Sequence, residues 1–173
     1  MVAKSTMRTR ASAAKHLLSS DKPTAGVDIL DTLKREHDEV KKLLMSLQDA
    51  ESASERKSLV KSIKAALVPH TKAEEKVVYD AVISTADSDA ETDGYEGYLE
   101  HEWAAKTLER LEAAQPTSAE HKAAAKVLKE LVEHHIEEEE NNVWQDVREH
   151  FDAADRELMN TEFQAAKRRV RLS

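Results

Sequence analysis

Apolar residues recur three and four apart along most of this chain, the period of helices with one buried face. Leu30, Leu33, Val40, Leu44 and Leu47 form one such stripe. It predicts a helix from about Ile29 to Ala50, with Asp28 as N-cap and Asp31 in the first turn. Ile63, Leu67, Val78 and Val82 predict a second helix, from about Ser52 to Ser84. Ser52 and Glu55 open it as a capping-box pattern, and Pro69, which has no N–H to donate, is expected to kink or split it. The stretch Asp87–Gly97 is polar and holds two of the three glycines, so it reads as a loop between two halves. A third helix is expected from about Asp93 or Tyr95 to Ala114, stopping before Pro116. A fourth runs from Thr117, with a capping box to Glu120, to about Phe151, and a short fifth from Ala153 to Arg168. Short connections between long helices make neighbours antiparallel. The expected fold is all-α: an antiparallel up-down-up-down four-helix bundle over residues 26–152, a flexible basic tail over 1–25 and a short C-terminal helix within 153–173.

Polar residues interrupt these stripes in a repeated order. His37 stands alone on the first helix; His70 is followed by Glu74 on the second. His101 stands alone on the third; His135 is followed by Glu139 on the fourth. The two sets are offset by 64 residues for the first pair and 65 for the other two. Flanking apolar positions repeat as well: Ile63, Leu67, Val78 and Val82 stand around His70 as Leu128, Val132, Val143 and Val147 stand around His135. That match selects His135 and Glu139 as the inward pair over His134 and Glu138, because the other register would bury Asn142 and Asp146. A His and a Glu four apart share a helix face about 6 Å apart along the axis. Four imidazoles and two carboxylates in this arrangement suit a pair of metal ions, and cations remove the cost of burying the carboxylates. Taken singly, a His on an apolar face is usually a core residue and a Glu in the run Glu137–Glu140 a solvated one. The joint repeat is what points to metal. Glu75 and Glu140 are candidate acceptors for imidazole N–H groups. Tyr79 and Trp144, nine residues after His70 and His135, are read as packing, and His16, His121 and His150 as ordinary.

Composition narrows the chemistry. Only three Gly and three Pro interrupt the 173 residues, which favours helices. There is no Cys, so disulfides, zinc–thiolate sites and iron–sulfur clusters are excluded. A net charge of −8 gives no reason to expect nucleic acid or an anionic membrane as partner. No apolar run approaches a membrane span, and the first 25 residues, which carry Lys4, Arg8, Arg10, Lys15 and Lys22, lack the apolar core of a secretory signal; a cytoplasmic protein is expected. No His-Glu-x-x-His or Glu-x-x-His occurs, which argues against zinc proteases and ferritin-like di-iron proteins.

The segments Arg35-Glu36-His37-Asp38-Glu39-Val40, Pro69-His70 through Glu74-Glu75, Leu99-Glu100-His101-Glu102 and Val132-Glu133-His134-His135-Ile136 through Glu140 together resemble the hemerythrin-like HHE cation-binding family. The resemblance spans about Asp28 to Phe151 and implies a four-helix bundle with a non-haem di-iron centre. His37 and His70 would bind one iron and His101 and His135 the other, with Glu74 and Glu139 bridging. The implied cofactor is two iron ions with an oxo or hydroxo bridge; manganese and zinc accept the same donors. Oxygen-carrying members have a further His one turn after the third-helix ligand, where this chain has Ala105. They place the last carboxylate five residues after the final His, where Glu140 stands; Glu139 stands at four. Fewer protein ligands leave open positions for oxygen, nitric oxide or peroxide, for sensing, storage or detoxification. No catalytic residue is assigned. The rival expectations are turnover of peroxide or nitric oxide at the same centre, and a helical scaffold whose buried His and Glu are structural.

Overall fold

The computed structural model describes residues 26–85 and 87–172; the predicted tail over 1–25, with His16, lies outside the described residues. Among the described residues every regular element is helical. The elements are α1 (Ile29–Asp49), α2 (Ala53–Glu74), a π-helical turn (Glu75–Tyr79) that runs on into α3 (Asp80–Ile83), α4 (Ser88–Ala113), α5 (Ala119–Glu138), a second π-helical turn (Glu139–Val143) continuing into α6 (Trp144–His150), and α7 (Ala153–Lys167).

Local chemistry sets the helix ends. Asp28 caps α1 by accepting from the Leu30 amide, and Ser52 caps α2 by accepting from Glu55. Asp152 and Asp155 cap α7 reciprocally. Pro69 does not split α2. The hydrogen bond it forfeits is the one to the carbonyl of Ala65, an exposed position where water can substitute. Two expectations need correction. The fourth long helix is capped by Ser118 rather than Thr117, and Glu120 pairs with Arg110 instead of completing a capping box. More consequentially, α4 begins at Ser88, capped by Asp87, so most of the expected Asp87–Gly97 loop is helix. Gly94 and Gly97 serve close packing inside α4, not a turn. A Cβ on Gly94 would stand 2.6 Å from Ile83 Cγ1, and one on Gly97 2.5 Å from the Tyr79 ring.

α1 packs on α2 and α5, α4 on α2 and α5, and α7 across α1 and α2. The interior holds two apolar clusters. One contains Leu33, Val78, Val82, Ala90, Val143 and Phe163; the other contains Val40, Leu67, Ala104, Leu108, Leu128 and Val132. α1 and α4 pass from the first cluster to the second; α2 and α5 run from the second to the first. The predicted His and Glu residues lie where each helix crosses between the two. No helix among the described residues is long and apolar enough to cross a membrane.

Candidate metal centre

All six predicted site residues are in the core, between 0% and 7% exposed: His37, His70, Glu74, His101, His135 and Glu139. The structure brings them into one cluster. His37, His70 and Glu74 offer ligand atoms within 4.8 Å of one another, and so do Glu74, His101 and His135. Glu74 thus belongs to both groups, its Oε2 standing 3.3 Å from His70 Nε2 and 3.4 Å from His101 Nε2. Glu139 Oε2 lies 3.2 Å from His37 Nε2 and 3.8 Å from His135 Nε2. His134 is exposed and takes no part in the cluster; His121 is buried but stands in neither group.

A ring of outer carboxylates orients the imidazoles. His37 Nδ1 meets Glu140 at 3.1 Å, His70 Nδ1 meets Glu36 at 3.0 Å and His135 Nδ1 meets Glu100 at 2.7 Å. His101 Nδ1 approaches Glu75 less closely, at 3.4 Å. A carboxylate only accepts, so the contacts of His37, His70 and His135 are satisfied by the tautomer carrying its proton on Nδ1, while His101 Nδ1 makes no hydrogen bond among the described residues. That leaves the Nε2 lone pairs pointing inward, the disposition of metal-bound histidine with a carboxylate behind it. Glu75 and Glu140 were legible as such acceptors. Glu36 and Glu100 were missed, although the Glu-His pair they form with His37 and His101 recurs in the sequence. The partners cross over: Glu36 serves His70, not its neighbour, and Glu100 serves His135.

Inside that ring, polar atoms face each other without partners. His101 Nε2 and His135 Nε2 are 3.1 Å apart, so two lone pairs meet unless a proton or cation lies between them. Both oxygens of Glu74, both oxygens of Glu139 and His37 Nε2 are buried with no hydrogen-bond partner among the described residues. Orphaned buried carboxylate oxygens are costly. The donor set, nitrogen and oxygen only, fits divalent first-row metals. Without a cation, protons substitute. Burial lowers the pKa of His37, His70 and His101, but the facing carboxylates outweigh it and all three are raised, His70 to about 10 through Glu74 and Glu36. Burial likewise raises Glu74, yet His70 and His101 hold it well below the usual carboxylate range.

The two π-helical turns begin beside the inward glutamates, the first directly after Glu74 and the second at Glu139. Such wide turns are frequent where a helix must aim side chains into a site. Aromatic residues then make the halves unequal. Tyr79, fully buried, places its hydroxyl 3.5 Å from both His101 Nε2 and His135 Nε2. Burial, followed by Glu139 and Glu74, pushes its pKa well up, so it stays a protonated donor. Trp144 stacks on His37 at 5.8 Å, and Phe163 of α7 meets His70 edge-on at 5.8 Å. From the same helix Lys167 reaches Glu36 at 2.6 Å. Tyr79 therefore enters the site rather than merely packing: the repeat marked its position as the counterpart of Trp144, but not its role, since a Trp cannot supply the same hydroxyl.

Residues 28–147 match the family described as the hemerythrin HHE cation binding domain. A DNA nickase from Nostoc sp. is 28% identical over 144 residues, covering 83% of this chain and 40% of that protein. The chain therefore spans well under half the length of this relative. No solved structure matches it.

Proposed function

Because the chain belongs to the hemerythrin HHE cation-binding domain family, we propose that it is a cytoplasmic non-haem di-iron protein binding a small oxygen or nitrogen species, O2, nitric oxide or peroxide. His37 and His70 would hold one iron and His101 and His135 the other, with Glu74 and Glu139 as the carboxylates shared between them. The observation that carries the reading is the set of four buried, unpartnered carboxylate oxygens among inward-facing Nε2 atoms. Two divalent cations would neutralise both buried glutamates, and six protein side chains leave coordination positions open to electron-rich small ligands. When bound, iron supplies Lewis acidity and reversible one-electron chemistry. The chain's own residues do the rest. Glu140, Glu36 and Glu100 fix the tautomers of His37, His70 and His135, and Tyr79 offers a hydrogen-bond donor beside His101 and His135. The scaffold is an antiparallel up-down-up-down bundle, supported by the alternating order in which its long helices cross the two apolar clusters.

Metal analysis after anaerobic reconstitution tests the proposal: about two irons per chain are expected, with an absorption band that changes on adding peroxide or nitric oxide. Metal far below one per chain would sink it. A second reading follows from the name of the relative. Paired cations promote phosphodiester hydrolysis, and Lys4, Arg8, Arg10, Lys15 and Lys22 would supply a basic arm for DNA. Against it stand the burial of the cluster and a net charge of −8. Relaxation of supercoiled plasmid by the metal-loaded protein, beyond that caused by free metal, would favour this reading over the first.

A further inference from the structure

We propose that the cavity leading to the metal centre binds an organic anion with one medium-length aliphatic chain, its head at the histidines and its tail toward the surface between α1 and α2. The inference rests on the metal-centre reading above. The cavity measures about 460 Å³, and all four inward histidines line it. A water molecule's share of liquid volume is about 30 Å³, and a diatomic gas is of similar size. Such a ligand leaves most of the cavity unfilled. Volumes of roughly 300–1,000 Å³ belong to pockets that enclose organic molecules.

Chemistry along the cavity specifies the ligand. Val40, Leu67, Ala104 and Val132 form buried apolar walls beside the histidines. Farther out, Ser62, Ala65 and Ala66 of α2 line the opening; Ser62 and Ala65 are exposed, and small side chains here leave it wide. Lys167 and Glu36 also border the space and pair with each other at 2.6 Å, and exposed Glu39 borders it too, so the opening offers no uncompensated positive charge to a ligand. The inner end is where an anion would be held, since two cations bound by only six side chains keep coordination positions open to a carboxylate. One anionic head fits there, and the apolar walls disfavour a second polar group along the tail.

Straight-chain carboxylates from acetate to decanoate, titrated calorimetrically into the iron-loaded protein, test this. Affinity should rise about fourfold for each methylene that enters the apolar section, then level off once the tail reaches solvent. Ala66→Phe should flatten the series; Ala65→Trp, at an exposed position, is the alternative block if the first variant folds poorly. An affinity independent of chain length, or a rise that survives both variants, overturns the pocket. Iron content measured on the same samples separates the two readings. Full metal with a flat series leaves the metal centre standing and removes the pocket; absence of metal removes both, since the head then has no cation to meet.

Discussion

Glu36 shows how far the centre extends beyond its inner residues. It touches no inner carboxylate, yet it accepts from His70 Nδ1 and is itself held by Lys167. Glu36 sits below the usual carboxylate range: burial opposes this, and His70 and Lys167 outweigh burial. Glu36→Gln keeps the shape but removes the charge that fixes the His70 tautomer. Metal affinity should fall roughly 10- to 100-fold, measured by competition with a chromophoric chelator; an unchanged affinity would assign Glu36 to surface solvation alone. At this scale much was legible, because the duplicated order of His and Glu on apolar stripes survives in the sequence. What escaped was non-local. The crossed pairing of Glu36 with His70 and Glu100 with His135 joins different helices, and Tyr79 reaches its histidines only because α4 approaches closely at Gly97.

Elements were legible where their ends are set locally. Asp28 and Ser52 accept from amides two or three residues on, and those helices start where their caps predicted; α7, capped by Asp152, starts at the expected Ala153. Ser118 and its neighbour Thr117 are equally suited to capping, so only the folded chain decides between them. The start of α4 was misread because glycine was taken as a turn former, whereas Gly94 and Gly97 supply proximity. Here the two differ. An added Cβ at Gly97 meets the rigid Tyr79 ring, at Gly94 the flexible Ile83 side chain. Gly→Ala in a helix favours folding by about 1 kcal/mol, while overpacking costs about 1–3 kcal/mol. Gly97→Ala should therefore lower stability in denaturant unfolding and displace the Tyr79 ring resonances; Gly94→Ala should be close to neutral. α4 and α6 also meet at a like-charged seam. Burial and then Asp93 raise the pKa of Asp146, and one of its oxygens has no hydrogen-bond partner. A carboxyl raised on folding destabilises when ionised. That cost is present at neutral pH and fades as acid protonates the folded group, above its ordinary value of 3.8. Asp146→Asn should raise Tm at pH 7, and the gain should shrink as the pH falls toward 4.

For the whole molecule, the polar layer between two apolar clusters couples metal to folding. Removing cations leaves protonated imidazoles and carboxylates in their place, a poorer match for the unpartnered oxygens of Glu74 and Glu139. Chelator treatment should lower Tm, and adding metal back should restore it in a concentration-dependent way. An identical Tm with and without chelator would favour the scaffold reading. The all-helical character was legible from periodicity and composition, but the packing of α7 over the centre was not. Its short stripe says only that it is amphipathic; the contacts of Phe163 and Lys167 depend on where the chain turns back after Phe151.

On the proposed two-ion reading, those contacts would give α7 control over the order of release. Glu36 divides its negative charge between Lys167 and His70, which it meets at 3.0 Å, whereas Glu100 stands 2.7 Å from His135 with no lysine paired to it among the described residues. The more strongly polarised imidazole is the better electron donor, so the His101–His135 half should retain a bound ion longer. Gradual extraction should empty the His37–His70 half first, giving two resolved phases of loss. Lys167→Met frees Glu36 to act on His70 alone and should draw the two phases together, making the far end of the polypeptide the dial that sets their spacing.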